Sequence, residues 1–171
     1  VNERFALFLR EQRPFFLEGA DIFSMPKQLV YTRSIVNPVG AVKVSGKVGA
    51  FNVAYLGAVD EVNAGTSNPM VNLLRVKRDM GQSSTIGAVY TDRTERGIDF
   101  NRVFGADAQL VLGGRYRINL LAAGSADGAS GAATDWGSMV TASVSRASRK
   151  VSMSASFEDV DKDFRAGSGF I

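Results

Sequence analysis

The side chains able to do chemistry in this chain of 171 residues are carboxylates, amines, guanidinia and hydroxyls, because it holds no cysteine and no histidine. That removes Ser-His-Asp and Cys-His catalysis, histidine-ligated zinc and the usual neutral-pH general base. Asp159, Asp161 and Asp163 alternate as the first ligands of a calcium loop do, but Phe164 stands where such a loop needs Gly and Phe170 where it needs a bidentate Glu. A solvated acidic loop is the better reading. Gly46–Lys47 suggests a phosphate loop, yet Val48 replaces the required hydroxyl and the segment alternates as a strand. Asp107 and Glu158 fall at inward strand positions, but no motif makes them the paired acids of glycoside hydrolysis. One cationic constellation remains: Lys43, Lys47, Arg75, Lys77, Arg117 and Arg146, with Arg78 beside them, could line a cationic lumen. A low-dielectric enclosure of one charge sign would favour anionic solutes. The alternative for these residues is contact with phosphate headgroups or simple solvation. No catalytic residue, metal or cofactor is expected.

The elements that must position these residues are strands. Apolar residues make up 45% of the chain, yet its apolar runs fall far short of the ~20 residues a membrane helix needs. Runs rich in Val, Ala, Thr, Tyr and Phe recur between Gly/Asn/Asp/Ser clusters, which predicts strands at 29–36, 40–49, 51–62, 70–79, 84–93, 100–113, 115–125, 135–147 and 150–160. Most exceed soluble strands of ~5–6 residues and suit the ~9–11 tilted residues that cross a bilayer. Alternation supports this. Phe104, Ala106, Ala108, Leu110 and Leu112 oppose Asp107 and Gln109; Val140, Ala142 and Val144 oppose Thr141, Ser143 and Ser145; Val42, Val44 and Val48 oppose Lys43, Ser45 and Lys47; Val151, Met153, Ala155 and Phe157 interleave with serines. Segment 70–79 is ambiguous, with apolar residues of both parities at its start.

The connections discriminate further. Tight reversals at Gly49–Ala50, Met80–Ser83, Gly113–Gly114 and Ser148–Arg149 alternate with longer polar stretches at Asn63–Pro69, Thr94–Asp99 and Ala126–Thr134. Membrane barrels show this order, short on the periplasmic side and long outside. The short link Asn37–Gly40 is the exception. Phe51 and Tyr116 sit beside tight turns, while Tyr90, Phe100, Phe104, Trp136 and Phe157 fall toward the long loops, as two interfacial girdles would. Residues 1–27 do not alternate. Phe5, Leu7, Phe8 and Leu9 suit a short helix or edge strand, Pro14 breaks it, and Phe15, Phe16, Leu17, Ile22 and Phe23 form an apolar patch expected to pack in or under the barrel mouth.

The run Arg13-Pro14-Phe15-Phe16-Leu17-Glu18-Gly19-Ala20-Asp21-Ile22-Phe23 resembles the KRPFFLEG..IF signature of the DUF5916 family. The resemblance continues, in the family's order, through Gly46-Lys47-Val48-Gly49, Arg75-Val76-Lys77-Arg78-Asp79, Ser84-Thr85-Ile86-Gly87, Phe157-Glu158-Asp159-Val160 and Asp163-Phe164-Arg165 to Gly169-Phe170-Ile171. It implies a C-terminal β-barrel-like domain of larger envelope proteins, often following a domain similar to family 9 carbohydrate-binding modules. It carries over no catalytic residue. The chain lacks that preceding module and stops where relatives would continue with further strands, so the resemblance implies a fragment.

The expectation is an all-β, antiparallel up-and-down meander forming part or all of an outer-membrane-type β-barrel, with residues 1–27 as an apolar segment and 28–171 as the strands. Its expected role is that of a pore, receptor or envelope-complex component of the bacterial outer membrane, not an enzyme. Outer-membrane lipid is the expected partner, with other envelope proteins or glycans suggested by the resemblance. Nucleic acid is not expected, because the net charge of +3 is modest and interspersed. The alternative is a soluble all-β ligand-binding domain of lipocalin-like type.

Overall fold

The computed structural model describes residues 10–61, 68–95, 99–129 and 131–169. Eight strands form one antiparallel sheet in strict chain order: β1 (Pro38–Val48), β2 (Phe51–Asp60), β3 (Met70–Met80), β4 (Ser84–Glu95), β5 (Asp99–Leu112), β6 (Tyr116–Gly128), β7 (Asp135–Ala147) and β8 (Ser152–Val160). The fold is therefore the all-β up-and-down meander that the alternation predicts. The sheet is not closed, since β1 and β8 do not pair with each other. The tight turns carry glycines at positive φ (Gly49, Gly81, Gly113 and Gly114), a region closed to most side chains.

One expected strand is corrected. Residues 29–36 do not join the sheet; they hold a 3-10 turn at Thr32–Ser34 between buried Leu29, Val30 and Ile35. Their apolar residues come in adjacent pairs, which a wall residue pattern of period two cannot place on one face. Tyr31 N instead donates to the Ser168 carbonyl at 2.6 Å, tying the segment to the far end of the chain. With that strand gone, Pro38–Gly40 begins β1 rather than forming a short loop, and the expected long connection Thr94–Asp99 shortens to residues 96–98 because β4 and β5 extend to Glu95 and from Asp99. The strands begin at 38, ten residues later than expected.

Alternation sends every second residue outward. Val44, Tyr55, Leu74, Tyr90 and Phe104 follow one another across five strands in one ladder row of the outer face. The concave face is covered by the terminal segments. Phe16 of α1 (Pro14–Leu17), Leu29, Val30 and Ile35 pack on Leu56, Ala58, Val71, Leu73, Val89, Val103, Leu121, Ala123 and Met139, with Phe23, Met25, Phe164 and Ala166 at the margin. Pro14 opens α1, since Pro at the first helical position loses no hydrogen bond. Of the expected apolar patch Phe16 is buried and Ile22 and Phe23 are half-buried, whereas Phe15 and Leu17 are exposed. Phe5, Leu7, Phe8 and Leu9 lie outside the described residues.

The N-terminal segment is held in shape by one carboxylate. Glu11 accepts from Arg13 Nε and Nη2, both at 2.9 Å, and from Thr32 Oγ1 at 2.7 Å. Arg13 also donates to the carbonyls of Ile35 (2.7 Å) and Thr32 (3.0 Å) and stacks 4.2 Å from the Phe16 ring centroid. The Arg13 hydrogen bond, partly opposed by burial, holds the Glu11 carboxyl at about 2, against 4.5 for the free group. A folded-state pKa below the unfolded one means that its stabilisation is complete above about 4.5 and vanishes as pH falls through about 2. The hydrogen-exchange protection factors of residues 10–36 should therefore fall across that window in the wild type, and E11Q should remove the fall. An unchanged profile in E11Q would reject this role for Glu11.

Candidate functional site

The concave face divides into two zones, and an ion pair marks the boundary. Arg75 on β3 and Asp107 on β5 form a two-pronged pair whose side chains are 0% and 1% exposed. The second prong, Nη2 to Oδ2, measures 3.0 Å. β4 lies between them, and Gly87 is the residue that Asp107 faces across the ladder. A Cβ on Gly87 would fall 2.7 Å from Arg75 Nη1, so the missing side chain is the lane through which the guanidinium reaches Asp107. Arg75 Nε donates its one proton to the Ile22 carbonyl at 3.2 Å, which fixes the N-terminal segment over the pair.

Other polar side chains of the inner wall hold the same covering segments. Lys43 donates to the carbonyls of Phe15 and Glu18, and Arg93 to that of Ser34 at 3.3 Å. Asn101 donates to the Arg165 carbonyl at 3.0 Å and accepts from Gly167 N at 2.7 Å, while Ser125 Oγ accepts from Arg165 N at 3.1 Å. Lys27 pairs with Glu158 at 2.8 Å, bringing the N-terminal segment to β8.

Below the pair, toward the tight turns, the concave face is polar. One ladder row runs Asp79, Thr85, Gln109, Asn119, Ser143, Ser156 across β3 to β8. The next holds Val111, Arg117, Ser145 and Ser154. Asn119 Nδ2 donates to Ser143 Oγ at 3.2 Å. The contrast with the outer face is sharp. Gln109 lies between Ala108 and Leu110, Asn119 between Ile118 and Leu120, Ser143 between Ala142 and Val144, and Ser156 between Ala155 and Phe157.

The six expected lumen cations are thus distributed differently. Lys43, Lys47, Arg75, Lys77 and Arg117 take inward parity, but three are engaged: Lys43 by carbonyls, Lys47 by Asp79 at 2.8 Å and Arg75 by Asp107. Lys77 is half-buried beside Asp79, and Arg117 is exposed on the polar wall. Arg146 is a correction: it faces outward, opposite Tyr116, with its guanidinium 5.4 Å from the ring centroid. It shares the parity of Val140, Ala142 and Val144, so the apolar alternation continued two residues would have placed it there. Asp107 and Glu158 both face inward as expected, but each is neutralised by a cation rather than by the other. The position Phe170 lies outside the described residues, and among those described no group of three acids is placed to hold a metal ion.

These features define the class: an open antiparallel meander with an apolar outer face and an inner face packed by its own terminal segments. No family model, curated protein or solved structure matches the chain.

Removing one partner of a buried ion pair leaves the other charged and unsolvated, at a cost of about 3–5 kcal/mol. Asp107→Leu alone should therefore lower unfolding stability by that order, and Arg75→Met combined with Asp107→Leu should recover most of it. Denaturant unfolding of the two variants decides; equal losses would mean that the pair is held by packing and not by charge.

Proposed function

We propose that this chain is wall and internal packing of a bacterial outer-membrane β-barrel. The observation that carries the reading is the outer face. Its outward-facing charges are Arg78, Asp92, Arg102, Arg146 and Asp159, and each stands within three residues of a strand end. Between these ends the outward positions are almost entirely Val, Leu, Ile, Ala, Gly and aromatic residues, so exposure of Val42, Val44, Leu74, Leu120, Val140 and Val144 falls on one continuous surface. Water would make such a surface an aggregation hazard, whereas hydrocarbon is its natural solvent. Phe51 and Tyr116 near the tight turns and Tyr90, Phe104, Trp136 and Phe157 toward the long loops add the two interfacial girdles.

A hydrocarbon solvent also demands that the free edges of β1 and β8 be paired, because unpaired backbone groups there cost several kcal/mol each. An eight-stranded barrel has an interior just wide enough for its own side chains. Here the terminal segments already occupy the concave face, so closure takes further strands, from the same protein or from a second copy. The role this supports is a plugged wall, with a polar vestibule on the tight-turn side that ends at Arg75–Asp107. An envelope context, and any link to glycans, rests on the DUF5916 resemblance.

The absence of native cysteine makes a clean test available. In proteoliposomes, cysteines replacing Gln109, Ser143 and Ser156 should react with a membrane-impermeant maleimide. Those replacing Ala108, Ala142 and Val144 should be protected by lipid, and one replacing Val103 by the core. Equal labelling of the outward and inward sets would overturn the membrane reading. The folded protein should also need detergent and show heat-modifiable gel migration.

A further inference from the structure

The charged side chains are sorted along the strand axis. Carboxylates gather at the long-loop end, among them Asp92, Asp99, Asp127, Asp135, Asp159 and Asp161. Among the described residues three arginines there are matched: Arg93 with Glu95 at 2.9 Å, Arg102 with Asp92 at 3.0 Å and Arg165 with Asp127 at 3.5 Å. The tight-turn end is basic. Arg78 stands near the end of β3, Arg115 in the β5–β6 turn, Arg146 near the end of β7, and Arg149 and Lys150 in the β7–β8 turn. Among the described residues none of these five has a carboxylate partner.

Two of them stand on the apolar face itself. Arg78 faces Phe51 and Arg146 faces Tyr116, each across one ladder rung, with guanidinium carbons 5.3 and 5.4 Å from the ring centroids. Stacking on an aromatic at the border of an apolar surface orients a cation at headgroup depth. Arg146 Nε is buried and has no hydrogen-bond partner among the described residues, while the side chain as a whole stays partly exposed at the rim. Ala147 N donates to the Arg115 carbonyl at 3.4 Å, which sets the β5–β6 turn beside Arg146, Arg149 and Lys150. Outward Leu112, Val144 and Met153 surround this group, and they fit acyl chains, which a nucleic acid could not supply.

We infer that the tight-turn rim from β5 to β8 binds the phosphate headgroups of anionic phospholipids, with Arg146 and Arg115 taking the phosphate and Arg149 and Lys150 adding charge. The inference rests on the membrane reading. Guanidinium groups suit the forked geometry of phosphate oxygens, and basic residues near an anionic bilayer surface each favour it.

The test compares the wild-type protein with R146Q/R149Q/K150Q in vesicles of phosphatidylcholine, with and without phosphatidylglycerol, reading thermal unfolding and retention of phosphatidylglycerol on detergent exchange. Phosphatidylglycerol should raise the wild-type midpoint, and its preference over phosphatidylcholine should fall by up to about fivefold per neutralised residue in the variant. R165Q, at the other rim, should keep the wild-type response. An identical response in wild type and triple variant would overturn the inference, as would reproduction of the stabilisation by inorganic phosphate in phosphatidylcholine vesicles. Failure of the wild type to enter phosphatidylcholine vesicles at all would instead sink the membrane reading, and the headgroup site with it.

Discussion

The buried pair of Arg75 and Asp107 is the constraint around which the concave face is arranged. Taking two charges out of water costs more than their attraction alone returns, so such a pair is poor evidence of stability and better evidence of a specified geometry. What it specifies here is legible in its neighbours. The guanidinium must cross β4, so Gly87 has no side chain; its third donor must be satisfied, so the Ile22 carbonyl is drawn down onto it. Beside that fixed carbonyl, Phe16, Leu29, Val30 and Ile35 pack on the sheet in one buried cluster.

The same pair separates two solvents inside one wall. On its long-loop side the inward row of Leu56, Leu73 and Val103 meets the covering segments; on its tight-turn side the inward row is Thr85, Gln109, Asn119, Ser143 and Ser156. The backbone is the same throughout and the outward face stays apolar on both sides. Only the inward parity changes character. A polar inward face opposite an apolar outward one inverts the order of a water-soluble β-domain, and it is this inversion, more than strand length, that argues for hydrocarbon outside.

Much of the wall was readable in the sequence wherever one parity was uniformly apolar and the other polar. β5 is the clear case: Phe104 to Leu112 announces both the strand and its outward face. Segment 29–36 misled because its β-branched residues satisfy strand composition without alternating, and composition cannot tell a wall residue from a core residue of a covering segment. Arg146 was misplaced by reading charge before parity. The Arg75–Asp107 pair was out of reach for a different reason. Nothing local links residues on strands β3 and β5; the register of β4 does, and the only sequence trace of it is a glycine that blurs an otherwise ordinary strand.

The covering segments are the part least specified locally and most by the wall. Neither α1, four residues long, nor the turns at Ala20–Phe23 and Thr32–Ser34 would persist alone, since isolated helices of that length do not pay their nucleation cost. They hold because Lys43, Arg75 and Arg93 offer donors to their orphan carbonyls, while in 165–167 Asn101 donates to the Arg165 carbonyl and accepts from Gly167 N, and Ser125 Oγ accepts from Arg165 N. Two of the cations expected to line a lumen, Lys43 and Arg75, therefore reach backbone carbonyls instead. That exchange makes the segment integral to the wall rather than a guest in it, while Arg78, Arg115, Arg146, Arg149 and Lys150 of the tight-turn rim have no carboxylate partner among the described residues.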